Sequence, residues 1–228
     1  MGFIGDILQA YKTISIVGMA KNAGKTTALN YIIEEAYDEG FTAGVTSTGR
    51  DGEMIDVALG TDKPKVYLFE GTIVSVPTGL YELAETGLEI LARTEYRTAL
   101  GNVLICRVAE SGHVQIAGPG STAEHRKLCS DMLSKGAEII LIDGAVDRKS
   151  IASPDSSDAI ILSTGAVISR SLKVVIEETV HIVNLYRSPV LEEGNVRTEL
   201  EKENPEKPRI LLLKENGEKF DTEIRTGL

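Results

Sequence analysis

Residues 13–27 read TISIVGMAKNAGKTT, and this stretch decides the fold. Its first five residues, 13–17, are an apolar, β-branched run that predicts a buried strand. Residues 28–36 have the apolar spacing of a helix, which Gly40 is expected to end. A second β-rich run covers residues 41–47. A strand, a loop, a helix and a strand form a βαβ unit, so we expect a parallel sheet with a right-handed crossover.

The loop between the first strand and the helix predicts a phosphate-binding site. Gly24 and Lys25 open the predicted helix, where free backbone amides point toward an anion. Lys25 can bridge the outer phosphates of a nucleotide, and the Thr26 hydroxyl can ligate Mg²⁺. The residues predicted to bind the nucleotide are Gly18, Asn22, Ala23, Gly24, Lys25, Thr26 and Thr27.

The entry to this loop departs from the usual G-x-x-x-x-G-K spacing. That spacing requires a glycine at position 19, but this chain has Met19, and Gly18 lies one residue too early. Gly18 can still provide the tight turn off the strand if the loop is one residue longer. Lys21 either adds charge near the phosphates or is an exposed lysine beside a polyanion, and we favour the second interpretation.

Carboxylates follow two other predicted strands. Asp143 ends the apolar run 138–143 and is expected to hold Mg²⁺ through water. Residues 46–53 follow the second strand, at the carboxyl edge of the sheet where ligands collect. In that loop we expect Asp51, with Glu53 beside it, to approach the Mg²⁺ or to orient the attacking water; the alternative is a polar turn. The predicted catalytic residues are Lys25, Asp51 and Glu53, and the predicted metal ligands are Thr26, Asp51 and Asp143.

Other polar residues are expected at the same edge. Thr46 or Thr48 can sense a γ-phosphate, and Arg50 can stabilise developing charge. The basic loop 144–150 can meet phosphate or an acidic substrate, although a solvated loop is equally consistent. Residues 163–165 either line a base pocket or form a helix entry. No Asn-Lys-x-Asp run follows a strand, which favours ATP over GTP.

The middle of the chain predicts antiparallel strands. Residues 66–69 and 72–76 are short β-rich runs around Glu70-Gly71, a hairpin signal. Ser121 and Glu124 form a capping box that should begin a helix. Further strands are expected near 88–91, 103–108, 113–117 and 158–163, and further helices at 80–84, from 121 to about 136, and from 167 to about 186.

Together these elements predict an α/β fold of three layers, a P-loop NTPase with a mainly parallel sheet. The middle of the chain would form an antiparallel insertion or sheet edge. We expect a nucleotide-binding domain over residues 1–190, a charged linker over 191–208, and a small β-hairpin tail over 209–228. Asn216-Gly217 is a strong hairpin-turn signal in that tail.

Composition limits the other possibilities. The chain has 228 residues and a formal net charge of −10, which argues against a broad nucleic-acid-binding face but not against one nucleotide. It has no apolar run of the ~20 residues needed to span a bilayer, and no signal peptide is evident. Cys106 and Cys129 lack metal or redox spacing, so we expect small buried side chains in a cytoplasmic protein.

At residues 18–27 and Asp143-Gly144 the chain resembles the SIMIBI class of P-loop proteins, which includes dethiobiotin synthetase and the ParA-like ATPases. A closer resemblance, covering roughly residues 10–190, is to the small P-loop proteins that accompany adenosylcobalamin-dependent lysine 5,6-aminomutase. It rests on the segments SIVGMAKNAGKTTALNYIIEEA, GVTSTGRDGE, VQIAGP, LIDGAVDRKSIASP and ILSTGAVISR.

This resemblance implies one subunit of a reactivase, whose other subunit is a MutS-like protein. Such a protein would use ATP and Mg²⁺ to drive a conformational change that expels damaged cobalamin from the mutase. The implied partners are the aminomutase and the MutS-like protein, a homodimer is possible, and the middle segment is a candidate protein-binding surface. Two alternatives stay open: a kinase or ligase of the dethiobiotin-synthetase kind, with Arg50 and Lys149 near Lys25, and a scaffold that binds nucleotide without hydrolysis.

Overall fold

The computed structural model describes residues 3–8, 10–48, 66–144, 157–187, 211–213 and 218–221. The chain forms two compact units, Met1–Ile182 and Val183–Leu228. The helices of the described residues are α1 (Phe3–Leu8), α2 (Lys25–Asp38), α3 (Thr78–Tyr81), α4 (Thr122–Ser134) and α5 (Leu172–Tyr186). The strands are β1 (Thr13–Gly18), β2 (Ala43–Ser47), β3 (Val66–Leu68), β4 (Ile73–Pro77), β5 (Leu88–Thr98), β6 (Gly101–Val108), β7 (Gly112–Val114), β8 (Ile139–Asp143), β9 (Ala159–Ser163), β10 (Leu211–Leu213) and β11 (Lys219–Asp221).

A seven-stranded sheet organises the first unit, in the order β5-β6-β4-β2-β8-β1-β9. The strands from β4 to β9 in that order pair in parallel, whereas β6 pairs antiparallel with β4 and with β5. The predicted α/β class, the mainly parallel sheet and the antiparallel edge are therefore confirmed.

Hydrophobic side chains cover both faces of this sheet, which makes three layers. Alternate residues of β8 face opposite ways: Ile139 and Leu141 belong to one core cluster, Ile140 and Ile142 to the other. The first cluster includes buried residues of α1 and α2, namely Ile4, Leu29, Ile32, Ile33 and Ala36. The second includes buried residues of α4, namely Leu128, Cys129 and Met132.

The predicted hairpin of residues 66–69 with 72–76 is wrong. A tight turn does form, because Thr72 N–H donates to the Phe69 carbonyl at 3.1 Å, but the strands on either side separate. β3 pairs antiparallel with β7, and β4 enters the main sheet between β2 and β6. Every residue of β4 is buried, whereas β3 alternates buried and exposed residues. A fully buried strand suits the interior of a parallel sheet, which overrides the local turn signal.

The predicted helices form, with some changes at their ends. The capping box is present, since the Ser121 hydroxyl accepts a hydrogen bond from Glu124 N–H at 3.2 Å. The Glu124 carboxylate binds the Ser121 hydroxyl at 3.1 Å. α5 begins at Leu172, five residues later than predicted. The Ser169 hydroxyl accepts a hydrogen bond from Ser171 N–H, a local contact that competes with helix formation.

The second unit contains the predicted C-terminal hairpin. β10 and β11 pair antiparallel, with Leu211 opposite Asp221 and Leu213 opposite Lys219. The Asn216-Gly217 turn and the linker predicted at 191–208 lie outside the described residues. Among the residues that the structure describes, no helix has both the length and the apolar character needed to cross a membrane.

Candidate functional site

Four parallel strands end side by side at the carboxyl edge of the sheet. The register places Asp143 beside Ile16 of β1 and beside Ser47 of β2, and Ser163 beside Gly18. Since β1 lies between β8 and β9, the loop that leaves β1 is flanked by the ends of both neighbours. The predicted phosphate loop and Asp143 are thus brought together by the fold.

The turn in this loop is not made by Gly18. Gly18 is the last residue of β1, and the ladder continues one residue further, because Met19 N–H donates to the Ser163 carbonyl at 2.9 Å. The chain turns at Ala20–Ala23, closed by a 3.2 Å hydrogen bond, with Asn22 at φ 65°. Asparagine tolerates this left-handed conformation better than most residues. The displaced glycine is therefore part of the strand, and Asn22 takes the conformationally demanding position.

Gly24 is the residue that precedes α2, and it leaves the helix N-terminus uncapped. Its φ of 92° is left-handed, and no side chain caps the helix. A Cβ atom at Gly24 would meet nothing within 4 Å, so the backbone conformation and not space favours glycine. By contrast, Ser121 caps α4 through its side chain. The first turn of α2 therefore presents backbone amides without a side-chain acceptor, the arrangement that binds anions.

Lys25 and Asp143 form an ion pair at the start of α2. The Lys25 Nζ lies 2.8 Å from Asp143 Oδ1 and donates to the Gly144 carbonyl at 2.8 Å. The two side chains are 24% and 23% exposed, so the pair is partly buried yet reachable from solvent. Thr26, the next residue of α2, is half-buried, and Lys21 in the loop is exposed. The two charged residues predicted from separate motifs are in direct contact.

The two threonines predicted as phosphate sensors differ in position. Thr48 N–H donates to the Asp143 carbonyl at 3.1 Å, which holds the start of the loop after β2 against the end of β8. Thr46 is fully buried, and its hydroxyl lies 2.6 Å from the Ser75 hydroxyl. Ser75 has one proton, which the Ala117 carbonyl can accept at 2.9 Å, so Thr46 is the donor to Ser75. Thr46 thus belongs to a buried network, whereas Thr48 stays at the edge.

Helix α5 contacts the other side of the loop. The Thr179 hydroxyl donates to the Val175 carbonyl at 2.7 Å and lies 3.0 Å from the Thr164 hydroxyl. The Met19 sulfur is 3.3 Å from the same Thr179 oxygen. Sequence reasoning placed Thr164 here but missed Met19 and Thr179, which are 160 residues apart and carry no local signal.

A buried histidine lies on the α4 side of the edge. His125 is 6% exposed, and its Nδ1 lies 3.7 Å from the Cys129 sulfur. Burial lowers the pKa of His125, and this effect outweighs a hydrogen bond with the Ser47 backbone, which raises the pKa. Burial also raises the pKa of Cys129 to about 12, and that of Cys106 to about 11. Both cysteines are free and buried, as predicted.

Several predicted residues lie outside the described residues: Arg50, Asp51, Glu53 and Lys149. Their roles stay predictions. Within the described part of the chain, no group of three or more histidine, cysteine, aspartate or glutamate side chains is arranged to hold a metal ion.

Comparison of the chain with protein-family models, with curated proteins and with solved structures finds no match.

Proposed function

We propose that this protein is a Mg²⁺-dependent ATP-binding protein of the P-loop kind. The observation that carries the proposal is the Lys25–Asp143 ion pair at the uncapped start of α2. An ammonium and free helix amides suit a polyphosphate, and a carboxylate suits a hard cation. These groups converge at the carboxyl edge of a parallel sheet, where nucleotides bind in α/β folds.

The residues present fit a nucleotide-bound Mg²⁺ ion. Mg²⁺ keeps several waters and is held by one or two carboxylates together with substrate phosphates. Thr26 and Asp143 would supply the protein oxygens, with Asp51 as a predicted third ligand. When bound, the ion would neutralise charge on the phosphates. Lys25 would exchange Asp143 for phosphate oxygens, which releases the Asp143 carboxylate for the metal's ligand shell.

We further propose that the protein is a cytoplasmic ATPase and a subunit of a reactivase for lysine 5,6-aminomutase. The support for this finer assignment is the sequence resemblance of residues 10–190. A mechanism that acts on a partner protein requires only a phosphate site, a responsive loop and a docking surface. Lys25 and the helix amides would bind the phosphates, and the loop after β2 would respond to hydrolysis.

Nucleotide binding is tested by comparing two lysines of one loop. Lys25→Ala removes an ammonium expected to contact phosphate, so ATP affinity should fall by at least about tenfold, as for loss of a charge-assisted hydrogen bond. Lys21→Ala removes an exposed lysine and should change affinity by less than about threefold. Calorimetric titration with ATP and Mg²⁺ measures both. Unchanged affinity in Lys25→Ala would overturn the proposal.

The finer assignment needs a separate assay. Phosphate release should rise when the aminomutase and the MutS-like protein are added to this chain with ATP and Mg²⁺. Transfer of phosphate to a small molecule without either protein would instead support a kinase, and binding without turnover would support a scaffold.

Asp51→Asn should lower kcat more than it raises KM, because its predicted role is in the transition state. A kcat in Asp51→Asn equal to that of the parent would show that Asp51 takes no part in hydrolysis.

A further inference from the structure

A chain of aromatic side chains lies on the surface at the amino edge of the sheet. The rings of Tyr37 and Phe69 stack with centroids 4.5 Å apart, and Tyr67 meets Phe69 edge-on at 5.3 Å. Tyr67 also meets the His113 ring at 5.2 Å. Tyr37 and Tyr67 are 48% and 39% exposed, and the His113 side chain is 49% exposed. We call these four residues, together with Glu70, the acidic aromatic surface.

A groove of about 180 Å³ adjoins this surface. It lies where the chain enters β2 and β4, so it is at the opposite edge of the sheet from Lys25. Its lining includes the apolar and aromatic side chains of Ile33, Tyr37 and Phe41, and one carboxylate, that of Glu70. Glu70 N–H donates to the Ser111 hydroxyl at 3.0 Å, which connects this part of the lining to the turn before β7.

The segments that carry the rings and Glu70 are acidic. Residues 31–42, 66–72, 80–87 and 108–115 contain no lysine and no arginine. The neighbouring Arg107, opposite Ile73 in the sheet, is paired with Glu89 at 3.4 Å. They are joined in space by the ring contacts, by a 3.6 Å approach of Glu85 to His113, and by hydrogen bonds such as Gly71 N–H to the Val108 carbonyl. The exposed carboxylates on these segments are Glu34, Asp38, Glu39, Glu70, Glu82, Glu85 and Glu110.

We propose that the acidic aromatic surface docks a lysine- or arginine-rich segment of a partner protein. One cationic side chain would enter the groove, where the Tyr37 ring supplies a cation–π contact and Glu70 supplies a carboxylate. Exposed tyrosines give a large contact area at low entropic cost, which is typical of binding hot spots. The negative charge repels nucleic acid and selects a basic partner. This proposal is independent of nucleotide binding.

The test uses the full chain, labelled with ¹⁵N, and a synthetic decapeptide of alternating arginine and glycine. We expect the peptide to change the NMR chemical shifts only of backbone amides around the groove, near Tyr37, Glu70 and His113. A peptide with glutamate in place of arginine should produce none. Tyr37→Ala and Glu70→Lys should each weaken peptide binding by about tenfold, whereas Tyr37→Phe, which keeps the ring and shows that the site still folds, should bind normally.

Two matched variants separate docking from general charge attraction. Tyr31 is also an exposed tyrosine of α2, at 60%, but it takes part in none of the three ring contacts and does not line the groove. Glu178 is an exposed glutamate of α5. Tyr31→Ala and Glu178→Lys should leave the peptide affinity within about twofold of the parent. If they weaken binding as much as Tyr37→Ala and Glu70→Lys, or if the shifts spread over the whole surface, the proposal is overturned. Absence of binding would overturn it as well.

Discussion

The Lys25–Asp143 pair connects the resting site to its proposed function. A pair in which both side chains are about a quarter exposed contributes modestly to stability, because solvent screens the attraction. Its greater effect is to hold the ammonium at the start of α2 and to cover the carboxylate. A polyphosphate can compete for Lys25 because it offers several negative oxygens in place of one carboxylate and one carbonyl.

This competition predicts how Asp143→Asn changes nucleotide binding. Without the carboxylate, Lys25 is released, so ATP affinity in the presence of EDTA should stay the same or rise by up to about tenfold. The gain in affinity on adding Mg²⁺ should fall by about tenfold, because the metal loses its acidic partner. Calorimetry with EDTA and with Mg²⁺ measures both quantities. Asp131→Asn, on α4, serves as the control, and full Mg²⁺ dependence in Asp143→Asn would contradict the assignment.

His125 predicts a dependence of stability on pH. Burial lowers its folded-state pKa below the ordinary value near 6.5, so the unfolded chain takes up a proton first as the pH falls. The contribution to stability is complete above about pH 6.5 and is lost as the pH falls toward the folded-state pKa. The slope is at most about 1.4 kcal/mol per pH unit. In His125→Asn, the free energy of unfolding measured in urea should not show this fall with decreasing pH.

The matched control is His181, an exposed histidine of α5. His181→Asn should keep the parent's pH dependence of unfolding, because this variant leaves the buried His125 in place. If the two variants have the same slope between about pH 7 and pH 5, burial of His125 is not the cause.

At the scale of elements, the close approach to β2 of the segment that precedes α4 depends on Gly118. A Cβ at this position would lie 2.6 Å from the Ser47 carbonyl oxygen and 2.8 Å from the Thr46 hydroxyl. The first of these atoms is backbone and cannot rotate away. The same contact region holds the buried hydrogen bonds of Ser75 with Thr46 and Ala117. Position 118 therefore requires glycine because there is no room for a side chain, whereas position 24 favours glycine because of its backbone conformation.

Gly118→Ala should lower the free energy of unfolding by about 1–3 kcal/mol, the usual cost of overpacking a buried site. Gly165→Ala is the matched control, because a Cβ there meets nothing within 4 Å. Urea unfolding at neutral pH compares the two variants with the parent. A loss in Gly165→Ala as large as that in Gly118→Ala would show that the contact with β2 is not responsible.

The elements that sequence predicted best are those with local signals. The β1–α2–β2 unit follows from apolar periodicity and the glycine-lysine loop, and Ser121 begins α4 as its capping box requires. The partner of β3 could not be predicted, because a three-residue strand carries too little pattern to choose between a local hairpin and distant β7. The Asn22 turn and the Met19–Thr179 contact were missed because they arise only when the sheet has formed.

At the scale of the whole molecule, α2 runs between the two proposed binding regions. Its first residue, Lys25, lies at the carboxyl edge of the sheet, and Tyr37 near its end belongs to the acidic aromatic surface. The 14 residues of the helix span about 20 Å. In a chain with a net charge of −10, the Lys25 ammonium is thus placed at one end of α2 and exposed carboxylates such as Asp38 and Glu39 at the other.

The packing of α2 predicts that the two surfaces act independently. Leu29, Ile33 and Ala36 are at most 1% exposed, so the helix is fixed to the sheet and provides no second arrangement through which one ligand could affect the other. Saturating ATP and Mg²⁺ should change the affinity for the arginine–glycine peptide by less than about twofold. By thermodynamic reciprocity, the peptide should leave ATP affinity equally unchanged.

Anisotropy titrations of a labelled peptide, with and without ATP and Mg²⁺, measure this coupling, and Lys25→Ala gives the reference without nucleotide binding. A tenfold effect that disappears in Lys25→Ala would contradict the prediction. It would mean that α2 moves between two packed positions when phosphate binds, because only an element with two such positions lets one ligand bias the affinity for another.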